Sequence, residues 1–217
     1  MHDDLMAAVQ RLYHQIRSDD QPPQSEREHQ AAFVLEHMRS TVLGLIMEGV
    51  TPPTLELTLF YQWLRLSTLN RNLSDEQFND LAANMGEVMR PLVQLLQGLE
   101  PTLVDEGPIP AMQKMGGMIQ ELKDAFSALG AQSLSHDDVV RHTDLSNRAA
   151  FGLVQACLDA EVHPGLIESV FLYYWLRAST INANVPESFF QKLERHWEVV
   201  VERVGGFVDQ LARDAQR

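Results

Sequence analysis

Apolar residues recur along this chain at three- and four-residue spacing, the period of helices that pack on one face. Leu5, Ala8, Val9, Leu12 and Ile16 share a face of a first helix, which Asp3 and Asp4 can cap and which runs to about Ser18. Asp19 to Gln24, with two prolines, breaks it. Ser25 and Glu28 read as a capping box for a second helix through Phe33, Met38, Val42 and Ile46, ended by Gly49. Pro52 and Pro53 open a third, about Pro53 to Leu69, whose apolar residues leave almost no polar face and which is therefore predicted to be central. Asn70 suits a left-handed helix end. Ser74 and Gln77 cap a fourth helix, about Asp75 to Leu99, with a kink predicted at Pro91.

Residues 100–110, rich in proline and acid, read as a connector, after which the plan restarts. A fifth helix spans about Ala111 to Leu129. Ser135 and Asp138 repeat the start at Ser25 and Glu28 and open a sixth, to about Ala160. Pro164 starts a seventh, and Pro186 an eighth that continues through Trp197 and Val204. No alternating strand pattern appears. Phe60 to Asn72 returns as Leu172 to Asn184, with Trp, Leu, Arg, Ser, Thr and both Asn identical at an offset of 112 residues. The expected fold is all-α: an internally duplicated helical bundle of two four-helix repeats, residues 1–99 and 111–217. They pack together as one unit about a pseudo-twofold axis, since two units are too few for a solenoid.

Helical geometry sorts the repeated motif into faces. Tyr61, Arg65 and Thr68, with Tyr173, Tyr174, Arg177 and Thr180, form a candidate polar pocket able to hold an anion or a peptide carboxylate. Trp63, Trp175, Asn70 and Asn182 are read as structural anchors, the tryptophans in the core and the asparagines at turns. Because both copies keep what the fold needs, the motif describes the fold better than it describes a site. Glu56 and Arg65 recur as Glu168 and Arg177. Nine residues is about 900° of helix, so the two lie on opposite sides and cannot make reciprocal ion pairs with one neighbour.

Charge narrows the partners. The formal net charge is −13, more of it in the first half, which disfavours direct nucleic-acid binding and fits a basic protein partner or plain solubility. No apolar run is long enough for a membrane span, and one cysteine, Cys157, suits a reducing compartment, with the cytoplasm expected.

Motifs for chemistry are weak. Glu26-Arg27-Glu28-His29 holds one Glu-x-x-His where a di-iron bundle needs two. His136, Asp137, Asp138, His142 and Asp144 look like metal ligands but fit a solvated helix start better. Cys157 reads as core filling. Gly116-Gly117, among Met112, Met115 and Met118, and Gly205-Gly206 imply close helix contact or a bend. No cofactor, metal or catalytic residue is assigned. The expectation is a non-enzymatic protein-interaction module, an adaptor, regulator or inhibitor that binds a protein partner through an acidic helical surface. The alternatives are a small-ligand-binding or enzymatic bundle with a pocket between the repeats, and a nucleic-acid charge mimic.

Overall fold

The computed structural model describes residues 23–104, 124 and 135–214. The expected first and fifth helices, the Gly116-Gly117 pair with its methionines, and residues 105–110 of the connector lie outside the described residues. Among the described residues the chain is all-α, with eight α-helices and no strand. These are α1 (Gln24–Met47), α2 (Pro52–Asn70), α3 (Asp75–Ala83), α4 (Met85–Leu99), a 3-10 turn at Glu100–Thr102, α5 (His136–Asp159), α6 (Pro164–Asn182), α7 (Glu187–Arg195) and α8 (Trp197–Asp214). Helices α5 to α8 begin 112 residues after α1 to α4, so the spacing seen in one motif extends to every described helix start. No described helix is long and apolar enough to cross a membrane.

The ends of these helices have local causes. Helices α1, α2, α5 and α6 each close with a residue at positive φ: Gly49, Asn72, Glu161 and Asn184. The next amide then reaches back to a helical carbonyl, as Val50 N–H does to Leu45 and Leu73 N–H to Thr68, both at 3.0 Å, and Val162 N–H to Cys157 and Val185 N–H to Thr180, both at 2.9 Å. That closure satisfies carbonyls the helix leaves open. The left-handed residues of the motif are therefore Asn72 and Asn184, while Asn70 and Asn182 are the last helical residues of α2 and α6. Ser74 and Gln77 form the expected capping box.

Two sequence expectations need correction. Helix α1 starts at Gln24 behind Pro23, with no side-chain cap, so Ser25 lies inside its first turn. Pro23 already supplies the carbonyl that the Arg27 N–H takes, at 3.0 Å. Ser135, whose hydroxyl does accept from the Asp138 N–H, is thus the counterpart of Pro23 and not of Ser25. The second correction concerns the helix expected over about Asp75 to Leu99, which is two helices, with Pro91 inside α4. The break falls at Asn84 (φ −109°, ψ 31°), and again at His196 (φ −111°, ψ 35°), 112 residues on. The position matching Pro91 is Arg203, so proline is not what ends the helix. At Asn84 the side-chain amide donates to the Asp80 carbonyl at 3.0 Å and competes with the helical ladder.

Helices α2 and α6 make the most extensive helix contact in the molecule, and their nearly continuous apolar surface is the reason. Trp63 and Trp175 meet where they cross. Both are 0% exposed, and their rings stack 6.0 Å apart at 13°, with Phe60 5.4 Å from one and 5.0 Å from the other. Neither indole N–H has an acceptor among the described residues, so the rings contribute by packing rather than hydrogen bonding. Helix α1 packs on α5 and α6, and α2 on α5 as well, so the two halves share one core. Emptying either aromatic site should be costly: Trp63→Ala and Trp175→Ala are each expected to lose about 3–5 kcal/mol in equilibrium denaturant unfolding. Wild-type stability in both variants would contradict a central role for the stack.

Candidate functional site

The seven residues of the expected polar pocket do not converge on one cavity. Arg65 is almost fully buried. Its guanidinium lies 4.4 Å from the Phe78 ring centre, and its Nη2 donates to Asp75 at 2.6 Å. Arg177 repeats this, over Phe190 at 4.6 Å and bonded to Glu187 at 3.0 Å. Each arginine thus ties the central helix to the first turn of the next one, where a carboxylate is favoured by the helix dipole. Thr68 and Thr180 donate to the carbonyls of Arg65 and Arg177 within their own helices. Tyr61 is half-buried against the Phe78 ring. Tyr174 donates to the Leu35 carbonyl at 3.4 Å, and Tyr173 donates to the Glu194 carboxylate at 2.6 Å. Burial pushes both phenols up from their ordinary value.

Asn70 and Asn182 act across the molecule instead of at turns. Asn182 donates to Glu56 at 2.6 Å, and Asn70 donates to Glu168, so each central helix ends on a glutamate near the start of the other. The glutamates do make a reciprocal contact, with asparagine in the place the sequence offered to arginine. One side carries more. Glu168 also accepts from Ser67 at 2.6 Å and from Arg71 Nη1 at 3.2 Å, while Arg71 Nε donates to Asp209 at 2.6 Å.

This cluster forms one end of a cleft of about 560 Å³ bounded by Arg27, Arg71, the first turns of α6 and one face of α8. That volume falls in the range of small-molecule sites, and the lining has the usual mix of apolar wall and few polar groups. Leu166, Leu172, Val201 and Val204 supply apolar wall. Trp197 is fixed by its indole N–H, which donates to Ser169 at 2.9 Å, and by an edge contact with Tyr173. His163 caps α6: its Nδ1 accepts from the Gly165 N–H at 3.2 Å, and a Cβ at Gly165 would come within 3.3 Å of the ring. Gln30 holds the loop in front, accepting from the His163 N–H at 3.1 Å and donating to the Glu161 carbonyl at 3.4 Å.

Apart from Glu168, matched by Glu56, every residue that lines the cleft differs from the one 112 positions away in the other half. Counting 112 residues on or back, Arg71 becomes Ala183, Arg27 becomes Val139, Ser169 becomes Leu57 and Trp197 becomes Met85. Sizes are exchanged in step. A Cβ at Gly205 would lie 3.2 Å from Arg71 Nη2, whereas the counterparts pair Ala183 with Val93 beside an apolar cavity of about 130 Å³. That explains one glycine of the Gly205-Gly206 pair; around Gly206 there is open space. Sequence reasoning missed the cleft because its residues come from four separate stretches. The available signal was the list of positions where the repeat fails.

Elsewhere, Asp138 serves as partner to its own helix cap, accepting from the Ser135 hydroxyl at 2.7 Å, which holds its carboxyl below the usual range. Among the described residues no three metal-ligating side chains gather. Cys157 is fully buried, and burial pushes its thiol up to about 12. The chain matches no known protein family, no curated protein and no solved structure.

Two tests follow from buried polar groups. His142, the counterpart of Gln30, is buried with Nδ1 unpartnered among the described residues. Glutamine there restores the Gln30 arrangement, so His142→Gln is expected to raise unfolding free energy by about 1 kcal/mol. Glu194 is 5% exposed, and burial raises its pKa against the opposing pull of Tyr173 and Arg177. A raised native pKa means the native state holds the proton more tightly than the unfolded chain. Stability from this group is then complete below about pH 4.3 and is lost as pH rises through the native value. Measured against Glu194→Gln, the wild type should lose relative stability over that window and hold level above it. A difference independent of pH would refute the assignment.

Proposed function

We propose that the chain is a duplicated unit, two four-helix repeats at 1–99 and 111–217 joined through 100–110 about a pseudo-twofold axis. It acts as a non-enzymatic binding protein whose cleft between the repeats holds a small organic ligand. The observation that carries the ligand reading is the asymmetry of the cleft. Positions that serve the shared fold stay alike in both halves, as Trp63 and Trp175, Arg65 and Arg177, and Asn70 and Asn182 do. The cleft positions differ together, trading a valine and an alanine for two arginines and a leucine for a serine. Arg71 and Glu168 are already bound to one another, which suits a fixed wall better than a proton relay. A single buried cysteine fits a cytoplasmic setting.

A protein partner is the second reading, favoured by the net charge of −13 and by exposed Leu57 and Val139, the counterparts of Ser169 and Arg27. Glu36, Glu87, Asp138 and Asp144 each pair with an arginine one turn away, which gives a nucleic-acid mimic no support.

A thermal-shift screen of small organic compounds tests the ligand reading. A ligand at 100 times its Kd adds about 2.7 kcal/mol, or roughly 5–10 °C in Tm for a chain of this length. Val201→Trp, a partly exposed site on the cleft wall, should abolish the shift while leaving the Tm of the free protein near wild type. Shifts that persist in this variant place the ligand elsewhere. If no compound shifts Tm, and host-lysate capture by wild type is lost in a Leu57→Glu/Val139→Glu chain, the second reading replaces the first.

A further inference from the structure

We infer that the cleft selects a small organic cation, an ammonium group carried on an apolar body; this deepens the ligand reading and rests on it. The cleft itself makes the site, and its charges set the sign of the ligand. Two cations line it and both are committed. Arg71 is held by Glu168 and Asp209 and by the Ser67 carbonyl at 3.0 Å, and Arg27 is engaged as well. Two further carboxylates, Glu198 and Glu202, line the cleft from successive turns of α8, and among the described residues no cation pairs with either. Like charges four residues apart on a helix repel, so a ligand cation between them relieves a standing cost.

The same two positions separate the halves again. The counterparts of Glu198 and Glu202 are Gly86 and Arg90, so the matching turns of α4 carry no acidic pair. Beside it stands Trp197, the one indole in the lining, with its N–H already used by Ser169. An indole in the wall of a cleft can attract a cation through its π system when water is partly excluded. Leu166, Leu172 and Val204 receive the apolar body. An anionic ligand would face two carboxylates and an Arg71 already held by Glu168 and Asp209, and a neutral one would leave the carboxylates as they are.

Three probes of one shape separate these cases: 2-phenylethylammonium, 2-phenylethanol and phenylacetate, titrated into the full chain. Binding is read by calorimetry and by the Trp197 indole N–H resonance, assigned with Trp197→Phe. The ammonium is expected to bind at least tenfold tighter than the alcohol, with phenylacetate weakest, and to move the Trp197 signal. Glu198→Gln/Glu202→Gln should bring the ammonium down to the level of the alcohol without lowering Tm, both residues being exposed. Alcohol or carboxylate binding as tightly as the amine, with Trp197 moving, overturns the cationic class and leaves the cleft as a ligand site. Amine binding that leaves Trp197 still, or survives the double substitution, overturns the class and the location. No binding by any probe at millimolar concentration also overturns the inference, and the wider screen above then decides the cleft alone.

Discussion

The crossing of α2 and α6 is the constraint on which the other contacts depend. Two tryptophans and Phe60 fill it, all at 0% exposure, and no part of either helix near the crossing is free to face water. A helix apolar on every side must be covered on every side. That requirement explains why α1 and α5 lie across the partner half instead of along their own neighbours, and why the chain buries one continuous core. Close packing of this kind leaves little room for independent change: a volume lost at one position is felt by residues from both halves.

At the rim of the crossing the same constraint is met with polar groups. Each central helix would leave its last carbonyls and its C-terminal asparagine against the other helix's first turns. Glutamates at 56 and 168 meet the asparagines there, and buried arginines stacked on Phe78 and Phe190 reach the carboxylates that start α3 and α7. The Nε atoms of both arginines are unpartnered among the described residues, so these staples are not fully satisfied. Their worth lies in fixing the angle between successive helices, and removing the carboxylate would leave a buried arginine charge.

Much of this was legible in the sequence, and the reasons are local. The repeat of Trp, Arg, Ser, Thr and Asn at one offset marks the central helices, and the prolines at 52, 53 and 164 mark their starts. The Ser74 box and the glycine at 49 mark further ends. Misreadings arose where one local signal stood in for a competition. The stretch from Asp75 to Leu99 read as one helix, yet Asn84, and His196 in the other half, interrupt the ladder. Ser25 looked like a cap, yet Pro23 already begins the helix. Arg65 looked like part of an open pocket because periodicity gives the face of a side chain and not what covers that face. The cleft was illegible for a stronger reason: Arg27, Arg71, Glu168 and Trp197 are brought together only by tertiary packing.

Where a chain carries a motif twice at one offset, agreement and difference between the two stretches carry separate information. Agreement at Trp63 and Trp175 follows from packing alone and says nothing of a ligand. Difference is informative when it is concerted and physically compensated. A Cβ at Gly205 would crowd Arg71 Nη2 at 3.2 Å, and at the matching positions Ala183 and Val93 line one small cavity, so the change from one half to the other involves both positions. Random drift in an exposed loop would not require such pairing. The same region exchanges a methionine for Trp197 and a glycine and an arginine for Glu198 and Glu202, which alters shape, aromaticity and charge at once. Stability does not require these changes, since the other half closes its core without them. The exchanges that line the cleft alter its shape, aromaticity and charge, whereas the crossing of α2 and α6 keeps its paired tryptophans.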